Sequence, residues 1–294
     1  MTDVSIIIPV YNSEKTIARA IDSCQNQTFK NIEIIVVDNL STDNTNELVK
    51  EMAKKDSRIK LISLNKKGRS LARNAGMDQA NGKYIQFLDA DDTLEKNKIE
   101  YSVIALKSYP TMQAYGMAVA YVKNNSQKVV VPKLTYSNEL LTHNIFPINT
   151  FVFRKTKIRF DEQLDYDEDW LFWVDLFEEN STWQISSEIG CQVYVTGENT
   201  MSDIPKMIYY EVLVRSIIKR KYPKWSIATI KSDFKKVIMV DLLEQRNDIS
   251  PKDAIVIYNQ FRLQRLISKL LMIIPPIRKK IKYKFNNILE KSFY

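Results

Sequence analysis

Residues 82–94 read GKYIQFLDADDTL, an apolar strand pattern that runs straight into three carboxylates, Asp89, Asp91 and Asp92. Tyr84, Ile85, Phe87 and Leu88 predict a strand covered on both faces, because large apolar residues follow one another almost without a break. Like charges crowded at the end of such a strand raise one another's pKa unless a cation, a helix N-terminus or open water meets them. An acidic turn in isolation is most often a solvated cap, here of a helix expected to start near Leu94. The sharper alternative is a site for hard Mg²⁺ or Mn²⁺, which takes one or two carboxylates together with a substrate's phosphates.

Strand-like and helix-like pieces alternate on the N-terminal side of this stretch. VSIIIPV (4–10), IEIIVVD (32–38) and IKLISL (59–64) read as strands. SEKTIARAIDSCQNQ (13–27), with Ser13 as the cap candidate, STDNTNELVKEMAKK (41–55) and SLARNAGMDQA (70–80) read as helices. Crossovers of this length imply a mostly parallel sheet with helices on both faces, and ligands of such sheets bind outside the carboxyl ends of the strands. Asp38 and the 89–92 cluster both fall there. No GxGxxG follows the first strand and no GxxxxGK[ST] occurs, so a dinucleotide fold or P-loop has little support.

Composition narrows the class. The chain has 294 residues, of which 45% are hydrophobic, enough for one large domain or two smaller ones. Its two cysteines, Cys24 and Cys191, stand in no CxxC pattern, so neither a disulfide framework nor a zinc site is indicated and a reducing cytoplasm fits. The N-terminus lacks a basic region and no apolar run reaches 18 residues, so neither a signal peptide nor a membrane span is expected. Charge divides the chain in two. Residues 206–294 hold 20 Lys and Arg against 7 Asp and Glu, a net of +13, which leaves −5 for residues 1–205. Such asymmetry points to an acidic region with a site and a basic region facing nucleic acid or an anionic membrane.

VSIIIPVYN, IEIIVVDNLSTDNT, ARNAG and GKYIQFLDADD, in this order and spacing, resemble the family 2 glycosyltransferases of the GT-A fold, over roughly residues 4–175. The resemblance implies a catalytic domain at 1–205, with a donor-binding half to about residue 110 and an acceptor-side half beyond it, followed by a helical basic extension at 206–294. Asp38 matches the aspartate that accepts a hydrogen bond from the nucleotide base, and Pro9, Val10 and Tyr11 match the loop around that base. Arg73 matches a residue near the donor; taken alone it reads as an exposed helix arginine. Asp89 and Asp91 match the DxD motif, in which Asp91 binds Mn²⁺ or Mg²⁺ and Asp89 the ribose or a metal-bound water. Asp92 then reads as a cap or supporting group. The family often has a second Asp and a Gly where Asn39 and Leu40 stand, so the backbone there should differ or the base pocket should be tighter.

FDEQLDYDEDWLFWVDLFEEN (160–180) predicts a helix after Asp167, Glu168 and Asp169. Acids at a helix N-terminus favour its dipole without further purpose. The segment also resembles the family's acceptor-side motif, which implies Asp169 as general base with Glu168 as the fallback. Trp170 and Trp173 are candidates for stacking on a sugar, or for the core. His143, the sole histidine, is left out of the site.

The last ninety residues predict helices at about 206–221, 225–246, 251–273 and 276–292, the third opened by Ser250, Pro251 and Asp253. In the fourth, Ile277, Ile281, Phe285, Ile288 and Leu289 share a face beside RKKIKYK (278–284). Either this helix packs on the domain with a solvated basic face, or residues 276–294 bind an anionic membrane. No nucleic-acid recognition pattern is present. The expectation is therefore an inverting, metal-dependent glycosyltransferase at the inner face of the cell membrane. It would move a sugar from a nucleotide-sugar donor, UDP-linked by preference, to a glycan or lipid-linked glycan in surface-polysaccharide synthesis. The alternatives are a sugar nucleotidyltransferase, disfavoured by the missing Gly-rich phosphate loop, and a non-catalytic membrane-associated scaffold.

Overall fold

The computed structural model describes residues 2–124, 126–134, 139–178, 182–196, 203–224, 227–246, 248, 254, 257–259 and 261–290, without the side chains of 228 and 288–290. Two compact units divide the chain. The first comprises Met1–Lys133, Phe146–Asp165 and Asp175–Thr196, and the second Leu134–Ile145, Tyr166–Val174 and Gly197–Tyr294.

In the first unit, β1 (Val4–Val10), β2 (Ile32–Asp38), β3 (Ile59–Ser63) and β4 (Tyr84–Phe87) pair in parallel in the order β3-β2-β1-β4. The helices between them are α1 (Ile17–Gln25), α2 (Thr45–Lys55) and α3 (Arg69–Gln79). Every residue of β2 is buried, as its largely apolar run predicts. Two are charged, Asp38 at its end and, within the run, Glu33. Its carboxylate accepts from Ser5 Oγ at 2.6 Å, Lys60 Nζ at 2.7 Å and the Asn81 backbone N–H at 2.7 Å, so it ties three strands to the loop before β4. Although burial acts to raise it, these donors hold the carboxyl down at about 2. Gly76 lets α3 lie close on the sheet, since a Cβ there would run into the Ile7 side chain.

Beyond β4 the sheet turns mixed. After β5 (Thr93–Leu94) and α4 (Lys98–Ser108) come β6 (Met112–Lys123), β7 (Ser126–Val130), β8 (Phe151–Arg154) and β9 (Thr182–Tyr194). The path continues β8-β6-β9-β5, with β4 antiparallel to β8, and β7 adds to β6.

In the second unit, α5 (Glu168–Glu178), whose last four residues belong to the first unit, presents Trp170, Phe172 and Trp173 as fully or nearly fully buried side chains. α6 (Ile204–Lys221) is capped by the Asp203 carboxylate, which accepts from Lys206 N at 3.2 Å. α7 (Ile227–Gln245), α8 (Arg262–Ile273) and α9 (Pro275–Glu290) follow. Arg215 of α6 donates from Nε to Asp233 Oδ1 of α7 at 2.7 Å, a buried ion pair between them.

Four expectations need correction. The first helix begins at Ile17 after Thr16; Ser13 instead lends its carbonyl to Thr16 N and Ile17 N and its N–H to Thr45 Oγ1, which closes a turn. No helix starts near Leu94, because Thr93 and Leu94 pair with Gln192 and Cys191 of β9 and the helix waits until Lys98. The helix foreseen at 251–273 is interrupted at Phe261, whose φ of −126° and ψ of 38° are not helical; its start signals at 250–253 lie outside the described residues. Neither Trp170 nor Trp173 is available to a sugar, since both are 0% exposed.

Candidate active site

The register sets Val10 beside Asp38, so the carboxyl ends of β1 and β2 open onto one edge, with β4 next to β1. Asp38 is buried, and its two oxygens accept from Ser41 N at 3.1 Å and Asn46 Nδ2 at 3.0 Å. The turn-capping role is thus present, and each oxygen keeps a further lone pair for a ligand. The loops after β1 and β2 are tied together. Asn12, at a φ of 47°, accepts from Thr42 N at 2.8 Å, and Glu14 exchanges hydrogen bonds with the 43–44 turn. Pro9 is half-buried and Val10 buried, while the Tyr11 ring, 41% exposed, lies under Lys67 Nζ at 3.7 Å from its centroid. Lys67 carries no local sequence signal; its cation over the Tyr11 ring of the loop after β1 emerges only from the fold.

Leu40 keeps a left-handed backbone, φ 64°, so the chain retains the conformation glycine would suit despite the Cβ. Gly68 N donates to Asn39 Oδ1 at 2.7 Å, which fixes the start of α3 against this loop.

Arg73 on α3 is not an exposed helix arginine. It is 1% exposed and donates from Nη2 to Asp89 Oδ1 at 2.9 Å, which ties the helix to the acidic turn after β4. Its neighbour Asn74 bonds both backbone groups of Phe160, accepting its N–H at 2.9 Å and donating to its C=O at 3.0 Å. The ARNAG segment therefore serves three contacts at once, with Gly76 against the sheet.

The acidic turn is held from several sides. Asn149, which sequence reasoning missed, accepts the Asp89 N–H at 3.0 Å and donates to the Asp92 carboxylate, and Tyr194 N donates to Asp92 Oδ1 at 3.0 Å. Asp92 is thus a buried brace for the turn and caps no helix. Arg19, with its guanidinium 3.7 Å over the Tyr194 ring, donates to the Asp91 carbonyl at 2.6 Å. Burial, then the nearby Asp89, push the Asp91 carboxyl above its ordinary range, while Arg69 and Arg19 act against this. Burial, then Asp91 and Asp89, push Asp92 well up. Carboxylates that raise one another in this way suit a divalent cation, whose charge would relieve the repulsion. No group of three His, Cys, Asp or Glu forms a metal cage among the described residues. A hard cation held here by Asp91 therefore needs oxygens from a substrate, as a diphosphate would provide.

In the second unit, Asn144 Nδ2 donates at 3.0 Å to both Asp167 Oδ1 and Asp169 Oδ1, and Asp169 Oδ1 also accepts from Trp170 N at 2.8 Å. Asp167 has a φ of 55°, and burial pushes its carboxyl up to about 7. Asp169 is half-buried, whereas the fallback Glu168 is buried at 3% exposure. His143 pairs through Nδ1 with Thr142 Oγ1 at 2.7 Å.

A parallel sheet edged by Asp38, an Arg-braced acidic turn and an acidic helix start agree with the kinship of the chain to known proteins. The chain belongs to glycosyl transferase family 2, whose model matches residues 5–173. Among relatives, it is 31% identical to the uncharacterized glycosyltransferase RC0461 of Rickettsia conorii, over 93% of this chain and 48% of that one. It is 35% identical to UDP-Glc:alpha-D-GlcNAc-diphosphoundecaprenol beta-1,3-glucosyltransferase WfgD of Escherichia coli, over 68% of this chain and 79% of that one. The chain spans about half the length of the Rickettsia relatives it matches. Among solved structures, S. aureus TarS 1-349 in complex with UDP-GlcNAc superposes with a TM-score of 0.63 at 19% identity, covering 91% of this chain and 89% of that one. The mannosyltransferase PcManGT from Pyrobaculum calidifontis, in complex with GDP-Man and Mn²⁺, gives 0.60 at 17% identity, covering 95% and 83%. These likenesses show the fold, which is GT-A with a helical C-terminal part.

Proposed function

We propose that the chain is an inverting, metal-dependent glycosyltransferase. It takes a sugar from a nucleotide-linked donor, UDP-linked by preference, to a hydroxyl of a glycan or lipid-linked glycan in surface-polysaccharide synthesis, at the inner face of the membrane. The observation that carries this is the pairing of Arg73 with Asp89 inside an acidic turn at the carboxyl ends of parallel strands. The activity for which WfgD is named and the donors held by the TarS and PcManGT structures support the donor and acceptor classes.

Catalytic domain 1–205 divides its labour by residue. Asp38 accepts from the base within the loop of Pro9, Val10 and Tyr11. Asp89, oriented by Arg73, meets the ribose or a metal-bound water. Mn²⁺ or Mg²⁺ at Asp91 would supply charge to the departing diphosphate. Asp169 removes the proton of the acceptor hydroxyl, since an alcohol is a poor nucleophile until a base takes its proton. A single displacement of this kind inverts the anomeric centre.

Asp169→Asn tests the assignment. Donor binding should stay near normal while transfer falls by roughly 10²- to 10⁴-fold, the usual contribution of a positioned base. Wild-type turnover in this variant, or a product of retained configuration by NMR, contradicts the mechanism. Asp167→Asn, run beside it, should leave turnover within a few-fold.

A further inference from the structure

Helix α8 has two faces of opposite character. One is turned to the helical unit: Arg265 lies 3.4 Å over the Tyr258 ring, Ser268 Oγ donates to the Asp241 carboxylate at 2.5 Å, and Met272 packs against the cluster of Ile208, Leu242, Leu243 and Phe285. The other, with the residue that ends the helix, carries Leu263, Leu266, Ile267, Leu270, Ile273 and Ile274, spaced as one helical stripe and exposed, Leu263 at 66% and Ile273 at 74%. Single exposed aliphatics are ordinary on any surface; six contiguous ones mark something that covers them.

Charge says what. Residues 262–289 contain eight Lys and Arg and no Asp or Glu. Arg262 and Lys269 flank the stripe, and α9 adds Arg278, Lys279, Lys280 and Lys284, all exposed, with the Tyr283 ring 68% exposed among them. Two of the apolar residues of α9 are already engaged, since Phe285 is buried and Ile281 packs in the same cluster. A second copy of this surface would bring like charges together, whereas an apolar stripe rimmed by cations complements an anionic leaflet. No described helix is long and apolar enough to cross a membrane.

We propose that the exposed face of α8 lies in the interfacial layer of an anionic bilayer, with the basic run 278–284 against its headgroups. The inserting element is then α8, and residues 276–294 contribute charge and the Tyr283 ring. This assignment does not depend on the donor or on the base.

Co-sedimentation of the purified chain with phosphatidylglycerol-containing vesicles, against pure phosphatidylcholine, tests it. The chain should bind the anionic vesicles, and Leu266→Glu with Leu270→Glu should lower the partition coefficient at least about tenfold with far-UV circular dichroism unchanged. Lys279→Glu with Lys280→Glu should weaken binding and reduce its salt dependence. The fluorescence that Leu270→Trp adds to the parent spectrum should shift to the blue on anionic vesicles and be quenched by brominated lipid. Absence of vesicle binding, or a double glutamate variant that binds as the parent does, overturns the proposal. So does a dimer in solution that the double variant dissociates while neither form binds vesicles. If the double variant fails to fold, the overturning result is added fluorescence from Leu270→Trp that brominated lipid leaves unquenched.

Discussion

Arg73 Nη2 stands 2.9 Å from Asp89 Oδ1, with the guanidinium side chain 2% exposed and the carboxylate 38% exposed. A buried cation thus fixes a carboxylate that still opens to solvent, the arrangement expected of a group that must hold one orientation for a ligand. Arg73→Lys keeps the charge and loses the planar fork, so donor affinity should fall about tenfold by titration calorimetry. Unchanged donor affinity in a folded Arg73→Lys chain would assign the pair to packing alone.

Glu33 provides a stability test away from the site. Its folded carboxyl sits at about 2, below the ordinary value of 4.5, so its contribution is present above pH 4.5 and is lost as the pH falls from about 4.5 to about 2. Glu33→Gln should lower stability at neutral pH by about 2–3 kcal/mol, the scale of hydrogen bonds to a charged group. The variant should also lose stability less steeply over that acid window. Parallel acid limbs for the two proteins in denaturant titrations would contradict this.

Leu40 holds a φ of 64° with its side chain 41% exposed. A left-handed L-residue costs about 1–2 kcal/mol, partly offset in the glycine variant by unfolded-chain entropy. Leu40→Gly should therefore raise Tm by about 1–3 °C. The same variant separates strain from specificity: if the Leu40 side chain narrows the base pocket, donor affinity should change while Tm rises.

The parallel part of the sheet, β1 to β4, was legible because its signals are local. Strands covered on both faces appear as near-continuous apolar runs such as IEIIVVD, and the turn after β4 announces itself by charge. What tertiary structure decides was not legible. Thr93 and Leu94 become a strand through partners distant in sequence, Gln192 and Cys191. Arg73 is buried because Asp89 waits for it across the fold, and helical periodicity is silent on that. Asn149, in a single 3₁₀ turn, and Asn144, in an irregular segment, brace acidic groups from places where a polar residue has no period to betray it. In α5 apolar residues surround the helix, so no stripe distinguishes a stacking tryptophan from a core one. The tail's basic charge was visible in composition, but which apolar residues of α8 and α9 are packed and which are exposed is decided by tertiary structure.

The most direct test of the donor site is a thermal titration with nucleotide sugars, with and without Mn²⁺, on the parent chain and on Asp91→Asn. A ligand at about 100 times its Kd stabilises the folded state by about 2.7 kcal/mol, well within reach of a Tm measurement. The parent should gain stability from a UDP-sugar only when Mn²⁺ or Mg²⁺ is present. Asp91→Asn should keep its fold and lose that metal-dependent gain, because a neutral amide is a poor ligand for a hard dication. Equal, metal-dependent stabilisation of both proteins would contradict the assignment of Asp91 and with it the metal-bound donor site.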